Sequence, residues 1–99
     1  MYDMKNLEKL KQLGKLTPEA FTTFLAFNEA VFKDGHIPAK YKELMAIALA
    51  LTTQCPYCIE DHKIRAKQAG ATDEEIAEAA MLAGAMRAGG AIAHASHLL

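Results

Sequence analysis

KYKELMAIALALTTQCPYCIEDH, residues 40–62, is the stretch on which the reading of this chain turns. Leu44 to Leu51 is an unbroken apolar run behind Lys40, Lys42 and Glu43, without the polar–apolar alternation of a half-buried strand. Apolar on every side, it predicts a helix surrounded by protein. Thr52-Thr53-Gln54 interrupts the pattern, and Cys55-Pro56 restarts it. Pro56 suits the first helical turn, where its missing N–H has no intrahelical partner to lose. Ile59, His62, Ala66 and Ala69 then continue at helical spacing to a stop at Gly70.

The flanks read the same way. Towards the N-terminus, Met4, Leu7, Leu10 and Leu13 recur every three residues among lysines, which predicts a short amphipathic helix stopping near Gly14. Thr17-Pro18-Glu19 is a start signal: a capping hydroxyl, a proline at the first helical position and a carboxylate in the first turn. The helix it opens carries Phe21, Phe24, Leu25, Val31 and Phe32, ends at Asp34-Gly35, and is followed by the helix opened by Pro38. Towards the C-terminus, Thr72 with Glu75 fits a capping box. It opens an alanine-rich helix that Gly89-Gly90 should punctuate before a last short helix from Ala91. With no sustained alternation and no β-branched enrichment, the expectation is an all-α fold of five to six helices in a single domain, residues 1–99.

Composition narrows the function. The chain is 52% hydrophobic but only 7% aromatic, an alanine–leucine excess that suits closely packed helices and implies apolar surface covered by other copies. Eleven basic and twelve acidic residues are interspersed, so no basic patch points to nucleic acid and no lysine-rich face points to a membrane surface. No secretory leader is evident at the N-terminus, and Leu44–Leu51 falls far short of the ~20 residues of a membrane span. The expected location is cytoplasmic. In that reducing compartment a C-x-x-C is more often catalytic or metal-binding than a permanent staple.

Cys55 and Cys58 are the only cysteines, and His62 follows four residues later. On a helix beginning at Cys55 the three side chains share one stripe. A helix N-terminus favours thiolate over thiol, and an imidazole can accept the thiol proton. The thiolate attacks a peroxide oxygen or a disulfide sulfur, and the second cysteine resolves the product. Two other readings stay open. A zinc site wants four ligands, and beyond this motif only His36, His94 and His97 remain, with no further thiol. Inert buried cysteines are the other reading. Glu43, twelve residues before Cys55, reads from spacing alone as the solvent end of a buried helix. A turn at Thr52–Gln54 would instead pack the two helices side by side and bring Glu43 near His62.

The pattern Glu43-x11-Cys55-x2-Cys58-x3-His62 resembles the signature of alkylhydroperoxidase D-like proteins in the carboxymuconolactone decarboxylase family, over residues 38 to about 88. The resemblance implies a helical subunit assembled as a homotrimer or homohexamer and acting as a thiol-dependent peroxidase or disulfide reductase. Its site would need no cofactor and no metal. It implies a hydroperoxide or disulfide substrate, with a peroxiredoxin as partner and a lipoylated or thioredoxin-like protein as reductant. By the same resemblance Glu43 polarises His62, His62 deprotonates Cys58, and the Cys58 thiolate exchanges with Cys55. Tyr57 stands where the best-understood branch has a histidine; a phenol with pKa near ~10 is a poor shuttle at neutral pH, so the relay would rest on Glu43 and His62. Two alternatives are a cofactor-free decarboxylase or related lyase on the same fold, and a non-catalytic scaffold. His94 and His97, three apart near the C-terminus, are expected at a solvated or interface helix end.

Overall fold

Each apolar segment forms helix. The structure, a computed structural model, describes residues 2–99 and contains five α-helices and no strand among them. They are α1 (Leu10–Leu16), α2 (Pro18–Phe32), α3 (Ala39–Thr53), α4 (Pro56–Gln68) and α5 (Asp73–His94). Two 3-10 segments, Met4–Lys9 and Ala95–Leu98, flank them. The fold class is all-α, as the sequence indicates. The chain divides into two compact units, one ending at Ala39 and the other Lys40–Leu99.

In the first unit two local signals act differently from their sequence reading. Gly14 lies inside α1 and does not stop it. A Cβ there would sit 2.8 Å from Cδ1 of Phe21, so the glycine is required by the close approach of an aromatic ring. The Thr17 hydroxyl points backwards, donating to the Leu13 carbonyl at 2.8 Å, and closes α1 instead of capping α2. Pro18 alone starts α2. After α2, Asp34 accepts a hydrogen bond from the Ala39 amide at 2.6 Å, holding the first N–H of α3.

The second unit holds the core. Ile47 on α3, Ala66 on α4 and Ala71 in the α4–α5 turn are buried together, with Leu44 and Ile76 packed against them. Two of the three buried side chains are alanine, so little apolar area is buried per residue. The α4–α5 turn follows the sequence signals. Gly70 adopts φ +93°, and the Ala71 amide reaches back to the Ala66 carbonyl at 2.9 Å. The capping box is complete: the Glu75 amide donates to Thr72 Oγ1 at 3.1 Å, and the Thr72 amide to Glu75 Oε1 at 2.9 Å.

One expectation, the stop at Gly89-Gly90, is corrected here, and two others meet further observations. The helix at 44–51 is not surrounded by protein within this chain: Ile47 and Ala50 are buried, but Met45 and Leu49 are exposed, Leu49 by 65%. Gly89-Gly90 does not end α5, which runs straight through both glycines to His94. The alanines around them carry enough helical preference to bridge a pair that costs about 1 kcal/mol per glycine relative to alanine. Finally, Asp73–Leu98 is long and apolar enough to cross a membrane by length and composition alone, although no uninterrupted run in the sequence suggests it. Its mean hydropathy reaches that level despite Arg87. Ala83 is the one buried residue of α5 in this chain.

The glycine pair yields a stability test. A Cβ added at Gly89 or Gly90 meets nothing within 4 Å. Replacing both by alanine is expected to raise the free energy of unfolding by about 1–2 kcal/mol in urea titration, through helix propensity alone. A loss of stability would mean that the pair is kept for close approach by another surface.

Candidate active site

The site is built at the α3–α4 hairpin. Gln54 takes φ +56°, the left-handed conformation that reverses the chain in one step. The Cys55 amide closes the turn on the Ala50 carbonyl at 3.1 Å. From there α4 runs back along α3. Glu43 lies roughly 16 Å before the turn and His62 roughly 12 Å after it at 1.5 Å per residue, close enough in level for two long side chains to meet. They do meet: Glu43 Oε2 lies 2.6 Å from His62 Nδ1. Glu43 is only 6% exposed, so it is not the solvent end of a buried helix but a buried carboxylate whose position depends on that contact. An ionised carboxylate can only accept, so it fixes the proton on Nδ1 and leaves Nε2 as the basic nitrogen.

Cys55 is the N-cap of α4, with extended backbone and its Sγ accepting the Cys58 amide at 3.4 Å. Both cysteines are half-buried and reduced. The Cys55 thiol is held below the ordinary thiol range, first by the hydrogen bond from the Cys58 thiol and then by the Cys58 and Tyr57 amides of the helix start. The Cys58 thiol is pushed up to about 11. The causes, in order, are its hydrogen bond to Cys55, burial, the charge on Cys55 and the carboxylate of Asp61. The resemblance implies deprotonation of Cys58; the two shifts point the first ionisation of this coupled pair towards Cys55.

The structure thus brings Glu43 to His62 and Cys55 to Cys58, and puts Cys58 and His62 one turn apart on α4. Asp61, which the sequence reading passed over, adds negative charge beside Cys58 and is itself paired with Arg65 at 2.8 Å. The Cys58–Asp61 spacing of three was the available signal. His94 and His97 stand apart from this group near the C-terminus, rings 5.7 Å between centroids, with His94 Nδ1 2.8 Å from the Gly90 carbonyl oxygen. Among the described residues no three His, Cys, Asp or Glu side chains gather as metal ligands would.

With this geometry in place the comparisons can be read. The profile of the carboxymuconolactone decarboxylase family matches residues 18–99, covering α2 to the C-terminus. The chain belongs to that family. The carboxymuconolactone decarboxylase fold is also seen in two similar crystal structures. A protein from Methanobacterium thermoautotrophicum superposes with TM-score 0.80 and 35% identity over 86% of this chain and 96% of its own. A carboxymuconolactone decarboxylase family protein from Legionella pneumophila gives 0.79 and 38% over 83% of this chain and 73% of its own. Among curated sequences, an uncharacterised protein of the cox locus of Paracoccus denitrificans is 50% identical over 77% of this chain and 68% of its own length. An uncharacterised protein of Cupriavidus necator is 39% identical over 67% of this chain and 58% of its own. The family includes enzymes, and this member carries a cysteine pair at a helix start.

Proposed function

We propose that this chain is an oxidoreductase, a thiol-dependent peroxidase or disulfide reductase that cycles Cys55–Cys58 between dithiol and disulfide. The observation that supports the reading is the asymmetry of the pair: one sulfur caps a helix start and accepts the Cys58 amide, and its neighbour lies beside it, one turn from a carboxylate-held imidazole.

The steps follow from that asymmetry. The Cys55 thiolate attacks the terminal oxygen of a hydroperoxide, the O–O bond breaks, and the alkoxide leaves as the alcohol after taking a proton. Cys55 is now a sulfenic acid, oxidised by two electrons. Cys58, whose proton is the harder one to remove, gives it to Nε2 of His62 and attacks Cys55 Sγ. The S–O bond breaks, and the imidazolium returns the proton to the departing hydroxide as water. With a disulfide substrate, the mixed disulfide takes the place of the sulfenic acid and a thiolate the place of hydroxide. An external dithiol, such as a lipoylated or thioredoxin-like protein, supplies two electrons to reopen the pair; a peroxiredoxin disulfide is a fitting protein substrate.

Oligomerisation belongs to the same reading. Leu49, Met81, Met86 and Ile92 are each at least 65% exposed, more apolar surface than an isolated subunit keeps without a partner. Further copies of the chain, as a trimer or hexamer, are the proposed cover.

One experiment tests the chemistry. The reduced protein treated with one equivalent of hydroperoxide should lose about 2 Da, confined to the peptide holding Cys55 and Cys58, and regain it with dithiothreitol. An unchanged mass, or stable oxygen addition elsewhere, would overturn the reading.

A further inference from the structure

A second feature lies at the hairpin's rim. Leu51 and Thr52, at the end of α3, face Ala80, Ala83, Gly84 and Arg87 of α5 across a cleft of about 250 Å³. Its walls are apolar, and Gly84 leaves it open, since nothing lies within 4 Å of where a Cβ would stand. The single charge in the wall is Arg87. Its Nη1, in an exposed position, donates to the Thr52 carbonyl at 3.3 Å and so lies at the cleft. No carboxylate among the described residues pairs with it. A guanidinium has five N–H groups in a rigid fork, so most of its donors are unspent. Thr52 is three residues from Cys55, and three residues reach at most roughly 11 Å.

We propose that this cleft holds the carboxylate end of an anionic organic substrate, with Arg87 as the residue that selects for negative charge and the alkyl or aryl part lying along Leu51, Ala80 and Gly84. The inference rests on the dithiol reading and narrows it: the preferred substrates are carboxylated hydroperoxides or disulfides, over neutral ones of the same size. The Thr52 carbonyl contact also caps α3, and a purely structural arginine would do only that.

Two haloacetyl reagents of nearly equal size separate these roles without requiring turnover. Iodoacetate carries the charge that iodoacetamide lacks. In the full-length reduced protein, Arg87→Gln is expected to lower the iodoacetate rate at Cys55 at least threefold and leave the iodoacetamide rate unchanged. Arg87→Lys should restore part of the difference, and the wild-type preference should shrink in high salt. In the unmodified protein, hexanoate should slow iodoacetamide labelling of Cys55 at concentrations where hexanol does not, a readout that needs no variant to fold. Equal rate ratios in wild type and Arg87→Gln, or equal protection by hexanoate and hexanol, overturn the proposal. Peroxide turnover that is indifferent to substrate charge would do the same while leaving the dithiol reading standing. Charge-selective labelling without peroxide turnover would keep the anion site and remove the peroxidase.

Discussion

Iodoacetamide at neutral pH is expected to label Cys55 well ahead of Cys58, with the first thiol lowered from its ordinary value and the second pushed up to about 11. The two protons leave a coupled pair, so the measured steps belong to the pair, and the labelling pattern reports which sulfur carries the charge after the first step. Peptide mapping across a pH series separates them. Cys58→Ala removes the leading cause of the shift, the thiol that donates to Cys55. The Cys55 midpoint should then rise towards the ordinary range, while the amide contribution keeps it from going the whole way. In the reciprocal variant, Cys55→Ala, Cys58 loses its hydrogen-bonded partner and the adjacent negative charge. Its midpoint should fall from about 11, leaving burial and Asp61 to hold it up. Either variant abolishes disulfide formation within the chain. Preferential labelling of Cys58 in the wild type would reverse the order of attack, with Cys58 as entering nucleophile and Cys55 as the resolving thiol.

The order expected here differs from the one the resemblance implies, and the reason is local. C-x-x-C at a helix start is visible in Cys55-Pro56-Tyr57-Cys58, and so is the face shared with His62. Which sulfur receives the helix amides depends on whether the cap falls at residue 55 or one turn later, which backbone dihedrals decide. The hairpin itself was partly legible. Thr52-Thr53-Gln54 signals a break, but only the left-handed Gln54 makes it a reversal that sets Glu43 beside His62. Spacing alone left Glu43 at the solvent, because a carboxylate at the head of an apolar run looks the same whether it faces water or a buried imidazole. The glycines show the opposite limit. Gly14 and Gly89-Gly90 both resemble stops, yet the first makes room for Phe21 and the second pair sits in helix with open space around it. Gly70, followed at once by a capping box, was read correctly, because there two independent signals agree.

The contact between Glu43 and His62 sets the other large effect. The buried carboxylate keeps the proton on Nδ1, so that Nε2 can take a proton from a thiol one turn away. In the proposed cycle Cys55, favoured as the anion by the Cys58 thiol and the helix-start amides, attacks first, so the base would serve the second step, the deprotonation of Cys58. His62→Ala is therefore expected to lower the rate of disulfide closure about 10²–10⁴-fold, the usual contribution of a positioned general base. Glu43→Gln should lower it roughly 10–100-fold, because the amide can bond Nδ1 as donor or acceptor and no longer enforces one tautomer. Neither change should slow the first step: Cys55 alkylation at neutral pH stays near the wild-type rate, and the sulfenic acid, no longer resolved quickly, accumulates and can be trapped with dimedone. A merely structural pair would behave differently, altering both steps together or neither. Stopped-flow measurement of peroxide consumption alongside dimedone trapping distinguishes these outcomes. Equal loss of both rates would mean that His62 acts on Cys55, and unchanged rates would leave the buried hydrogen bond as a strut between α3 and α4.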